Sequence, residues 1–134
     1  MDNTNKIIEP FDDKELEIAT KEAEQDYLGT TGVYTHHFNR PFTIDGETIE
    51  ELVFDFESLT GADSLAIENE LAVIGKAVIV PEIAGEYLIR MAVRACTTKV
   101  NGKRLGVDAF KKLPLGDYNR IRGKARSFLL RSGL

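Results

Sequence analysis

The sequence predicts an α+β fold, an N-terminal β-hairpin followed by a bundle of about three to four helices. Asp45-Gly46 stands between two apolar-rich runs, the strongest short-range sign of a hairpin, because a type I′ turn needs positive φ at both central residues. Apolar residues then recur at helical spacing in the segments that follow. With 134 residues, 43% of them hydrophobic, and no internal repeat, the chain suits one domain with a modest core.

Residues 1–31 read as an acidic, partly flexible arm ahead of a single α+β domain at 32–134. Leu16, Ile18, Ala19 and Ala23 give a weak amphipathic helix from about Asp13 to Tyr27, with too few large apolar residues for a core element. The hairpin is expected over 34–57. A two-residue turn pairs Ile44 with Glu47 and Phe42 with Ile49. Strict pairing beyond that point would leave Leu52, Phe54 and Phe56 on the wrong face, so one extra residue is expected at Glu50-Glu51, a β-bulge that aligns Phe38, Arg40 and Phe42 with Phe54, Leu52 and Ile49. Pro41 has no N–H for a ladder, which makes the first strand an edge strand.

Thr60 followed by Asp63 reads as a capping box opening a helix over about 61–75, with Leu65, Leu71 and Ile74 as its buried face and Ala66, Ile67 and Ala72 flanking. Lys76 to Val80 is a β-prone connector, and Pro81 suits the first position of a helix over about 81–98. That helix carries one apolar stripe, Ala84, Tyr87, Leu88, Met91, Ala92 and Ala95. Glu82, Glu86, Arg90 and Arg94 form a polar row expected to face solvent, acidic first and basic last as the helix dipole favours. Asn101-Gly102 and Gly106 mark a turn, a short helix is expected over 108–113 before Pro114, and the last helix over 116–131. Tyr118, Ile121, Ala125, Phe128 and Leu129 give the last helix its apolar face, among Arg120, Arg122, Lys124, Arg126 and Arg131.

The net charge of −5 hides a polarity: residues 1–31 carry −6, 32–94 carry −7 and 95–134 carry +8. Such asymmetry fits an acidic partner for the C-terminal part, pairing between neighbouring copies, or balance within one monomer. The basic last helix fits an acidic protein surface, phosphates of a nucleic acid, or a solvated face; the residues alone leave these open. His36 and His37 are adjacent strand residues that point to opposite faces, and Cys96 beside Ala92 and Ala95 reads as a small buried hydrophobe. Without a GxSxG, GxGxxG, CxxC or HxxxH pattern, the expectation is a non-catalytic binding protein with no metal and no cofactor. No apolar run approaches the ~18 residues of a membrane span. The opening Met-Asp-Asn-Thr-Asn lacks a secretion signal, and one cysteine suits a reducing cytoplasm.

The layout from about residue 36 onward resembles the small tail assembly chaperones of long-tailed bacteriophages and prophages. Arg40-Pro41-Phe42, Asp45-Gly46 and Ile49 with Glu51-Leu52-Val53-Phe54 match that family's hairpin. Leu113, Asp117, Ile121 and Phe128-Leu129 resemble its final helix, although Asp55-Phe56-Glu57-Ser58 stands where an Arg-x-Pro is usual. The resemblance implies a chaperone of virion assembly that keeps the tape measure protein soluble and helps recruit tail tube protein subunits, acting in the bacterial host cytoplasm as a weak homo-oligomer. On that reading Tyr118, Ile121, Phe128 and Leu129 are expected to supply apolar contact to core or client, with Arg122 and Arg126 steering. The alternatives are a small nucleic-acid-binding regulator using the basic last helix, and a structural tail adaptor protein retained in the particle.

Overall fold

A computed structural model of the chain describes residues 32–76 and 84–132. It is an α+β fold: strands β1 (Val33–Ile44) and β2 (Glu47–Asp55) form an antiparallel hairpin, followed by α1 (Gly61–Val73) and α2 (Gly85–Ala95). A miniature hairpin, β3 (Lys99–Val100) and β4 (Lys103–Arg104), then leads to α3 (Val107–Lys111) and α4 (Leu115–Ser132). The expected arm helix at 13–27, the Lys76–Val80 connector beyond Lys76, and the positions of Pro81 and Glu82 lie outside the described residues.

The turn forms as its residues dictate, with Asp45 at φ 50° and Gly46 at φ 81°. Phe42 faces Ile49 and Ile44 faces Glu47, as expected. The bulge, however, lies on the other strand. Beyond the irregularity His37 pairs with Glu51, His36 with Leu52 and Tyr34 with Phe54, so four residues of β1, Phe38 to Pro41, stand opposite Glu50. Pro41 has no N–H to donate, and Phe38 stacks on Phe42 at 5.6 Å between centroids, so the excess chain is accommodated there rather than at Glu50-Glu51. The second strand also stops at Asp55: Phe56–Ser58 turn into a short 3₁₀ segment that carries the Phe56 ring into the core.

Helix α2 is the centre of the fold and touches α1, α3, α4 and β2. The expected stripe is buried, with Ala84 half-exposed, and Ile89 and Arg90 are buried as well. The helix ends at Ala95, short of Thr98, because the chain there docks on the free edge of β2: Thr97 N donates to Val53 O and Val53 N donates to Thr98 Oγ1, each at 2.8 Å. Cys96 is buried beneath that contact, and burial raises its thiol pKa. The Arg90 and Arg94 row does not face water alone. Arg94 Nε donates to Asp63 Oδ1 at 2.8 Å, and Arg90 and Arg94 each approach Glu70 at 3.6 Å, tying α2 to α1.

Asp63 serves twice, since its carboxylate also accepts from the N–H of the N-cap residue Thr60 at 2.8 Å, closing the capping box of α1. The buried pair on α1 is Ile67 and Leu71, spaced i,i+4, whereas Leu65 and Ile74 are exposed. Leu65 precedes Ile67 by two residues, about 200° around the helix, so the two cannot share a face. The Asn101-Gly102 turn closes the β3–β4 hairpin, again with both residues at positive φ. One hydrophobic core joins hairpin and helices, with Phe54, Leu71, Leu88, Phe110 and Ile121 at its interior.

Candidate functional site

Helix α4 lies along the domain and offers two unlike ends. At its start, Asp117 reaches back to β1. His36 is fully buried, and its Nε2 lies 2.8 Å from Asp117 Oδ1 while its Nδ1 lies 2.9 Å from the Tyr34 hydroxyl. A carboxylate only accepts, so Nε2 carries the proton, Nδ1 accepts, and the phenol donates. Arg120 Nη2 donates to the same Asp117 oxygen at 2.8 Å. Burial lowers the pKa of His36 and raises that of Tyr34, keeping the imidazole neutral and the phenol protonated. Both imidazole nitrogens are engaged within this chain, so the arrangement acts as a polar clasp between hairpin and helix. His37, on the opposite face, is exposed, and among the described residues no group of three or more His, Cys, Asp or Glu is placed to hold a metal.

The other end of α4 forms a groove with the N-terminal end of α1 and the middle of α2, about 310 Å³ in volume. Ile67 and Met91 form its buried floor; Leu59, Phe128 and Leu129 are its half-exposed walls. Asp63, Ser64 and Ser132 rim it, and the Tyr87 hydroxyl is held 2.7 Å from Ser64 Oγ at its base. Phe128 is fixed by stacking on Phe56 at 5.6 Å. Apolar walls over a closed floor with a polar rim suit the apolar stripe of a helix.

The structure thus brings two of the six nominated residues, Phe128 and Leu129, into one site. Ile121 is fully buried and packs inside the core. Tyr118 carries the Arg122 guanidinium 5.8 Å from its ring centroid, and a Cβ placed at Gly85 would lie 3.2 Å from an Arg122 nitrogen, so that pair sits against the start of α2. Arg126 is half-buried on the same helix. Leu59, Ile67 and Met91 complete the groove and were not among the nominated residues. Among the described residues, Arg120 of α4 pairs with Asp117 and Arg131 lies 3.5 Å from Glu57. A larger cleft of about 620 Å³ between the two hairpin tips mixes Lys103, Arg104 and Lys112 with Asp45 and Asp108, and Arg104 is already bonded to the Arg94 and Cys96 carbonyls.

No helix among the described residues is long and apolar enough to cross a membrane. Comparison with protein-family models, with curated proteins and with solved structures finds no match.

Proposed function

We propose that this chain is a non-catalytic tail assembly chaperone of a long-tailed phage or prophage, working in the host cytoplasm and binding the tape measure protein through the groove at the end of α4. The observation that carries this reading is the position of Phe128 and Leu129, the Phe-Leu pair of the resemblance, as walls of an apolar groove of helix-accepting shape. A tape measure protein is a long helix with exposed apolar stripes, which needs reversible cover by many small copies before tube subunits assemble around it. Half-exposed walls supply such cover without a large buried interface, and the charged groups around the groove would set the orientation of the client.

The test is co-expression with the tape measure protein of the same genome, followed by measurement of soluble client yield and co-purification. The expected result is rescue by the wild-type chain and loss of both rescue and co-purification with Leu129→Asp, roughly tenfold or more in affinity, as for a central interface residue. A Leu129→Asp protein that keeps its fold and still holds the client would remove the groove from the mechanism. Absence of any association between two well-expressed proteins would remove the chaperone reading itself.

A further inference from the structure

We propose that the groove at the end of α4 takes a client helix whose apolar stripe carries one neutral amide side chain, Asn or Gln, and that the Tyr87–Ser64 hydroxyl pair at its base reads that amide. The inference rests on the binding role proposed for the groove and names the residue that fixes the client's register.

Among the described residues four hydroxyls line the groove, those of Thr60, Ser64, Tyr87 and Ser132. Thr60 Oγ1 donates to Asp63 Oδ2 at 3.3 Å and Ser132 Oγ donates to the Leu129 carbonyl at 2.7 Å, so both of these protons are committed. Tyr87 and Ser64 have only each other, at 2.7 Å, among the described residues. Each hydroxyl carries one proton, and a single bond between them uses one of the two. One donor is therefore left at the base of the groove, where Tyr87 is only 4% exposed and the neighbouring floor is Ile67 and Met91.

The pair is held from both sides. Ser64 follows Asp63, which Arg94 and the Thr60 N–H fix in the first turn of α1, and Tyr87 stands on the central helix α2. In the open groove solvent can supply an acceptor for the spare proton. A helix seated between Leu59, Phe128 and Leu129 shuts solvent out, and a Leu tip over the base then strands the donor, which costs more than the bond itself is worth. An amide carbonyl accepts that proton, and its NH₂ group can donate to a hydroxyl lone pair. A carboxylate tip would face Asp63 across the rim. An ammonium tip would find Asp63 already engaged by Arg94 and by the Thr60 N–H.

The consequence is register. A long helix with a repeating apolar stripe can slide by one repeat at almost no cost in an all-apolar groove. One polar residue matched to a polar base holds a single alignment, as a lone Asn does at a coiled-coil core position.

The experiment titrates the full-length protein with a synthetic tape-measure helix made in three forms, with Leu, Asn or Gln at the central position of its apolar stripe. The wild type is expected to bind the better of the two amide forms roughly tenfold more tightly than the Leu form. Tyr87→Phe keeps the ring and removes its hydroxyl, and Ser64 is then free to turn onto the Thr60 carbonyl four residues earlier. The base becomes apolar, and the Leu form should bind the tighter. Each preference is a ratio measured on one protein, so any loss of folded material in the variant cancels. A wild type that binds the Leu form at least as tightly as both amide forms overturns the proposal and leaves the binding role of the groove intact. An amide preference that survives in Tyr87→Phe overturns it too, by assigning the selection elsewhere. Failure of all three forms to bind overturns the groove reading, and this inference with it.

Discussion

The two ends of α4 differ in what their residues lack. At Asp117 every polar atom of His36 has a partner, the imidazole is sealed from water, and hairpin and helix have one way to meet. At Phe128 and Leu129 the apolar walls are left half-exposed with nothing of the described chain over them. A satisfied buried network specifies geometry, whereas an incompletely covered apolar surface leaves binding energy for a partner. On the proposed reading the first end is structural and the second takes the client, and substitutions along the helix separate the two.

The largest effect is expected between the ends, at Ile121. Ile121→Ala removes a fully buried side chain and should cost about 3 kcal/mol, measured by urea unfolding. Client affinity per folded molecule should be unchanged. A variant of near-wild-type stability that lost the client would return Ile121 to the contact surface.

Asp117→Ala comes next, at about 2 kcal/mol, because it strands the His36 N–H in a site water does not reach and removes a partner of Arg120. Unchanged stability would mean that the clasp does not hold the hairpin to α4.

The clasp also makes stability depend on pH. Burial lowers the pKa of His36 below its ordinary 6.5, and the neighbouring Arg120 and His37 act in the same direction against the Asp117 hydrogen bond and charge. Within that window the unfolded chain binds more protons than the folded one. The His36 contribution is therefore complete above pH 6.5 and is lost as pH falls through the folded-state value. Asp63 and Glu86 are held below their ordinary 3.8 and 4.5, Asp63 first by its bond from the Thr60 N–H and Glu86 first by Arg90. Their contributions are lost only in more acid solution, so two separate declines are expected in melting temperature against pH. His37→Gln should leave the first in place and His36→Gln should abolish it; a first decline that survives in His36→Gln would assign it elsewhere.

Local signals in the sequence carried the elements further than the site. Asp45-Gly46 and Thr60–Asp63 are complete within four residues, and both formed as expected. The bulge was misplaced because the apolar alternation of β2 slips by one residue at Glu50-Glu51 while Phe38 and Phe42 stay in period on β1; only the tertiary stack of Phe38 on Phe42 shows where the excess chain goes. Asn101-Gly102 carries the same turn signal as Asp45-Gly46, but its two-residue strands are too short to show alternation. The clasp joins His36 to a residue 81 positions away, and the groove gathers side chains from three helices, so neither has a local pattern. Two of the three groove walls, Phe128 and Leu129, were legible as part of an apolar face, but the same periodicity marks Ile121, and spacing alone does not say which end of a stripe is covered.

The smallest stability effect is expected where the functional one is largest. Leu129 is half-exposed, and Leu129→Asp should move the unfolding free energy by about 1 kcal/mol or less, since the carboxylate swings into water at the groove mouth. The ordering Ile121→Ala, Asp117→Ala, Leu129→Asp in stability should thus invert for client capture, measured on the same three proteins by titration with the tape-measure helix. Phe128→Asp is a poorer probe, because its ring also supports Phe56 and its loss disturbs the hairpin. If Leu129→Asp destabilised the fold as strongly as Ile121→Ala, the C-terminal end of α4 would be closed core like the rest. The contrast between a clasped end and an open one would then collapse.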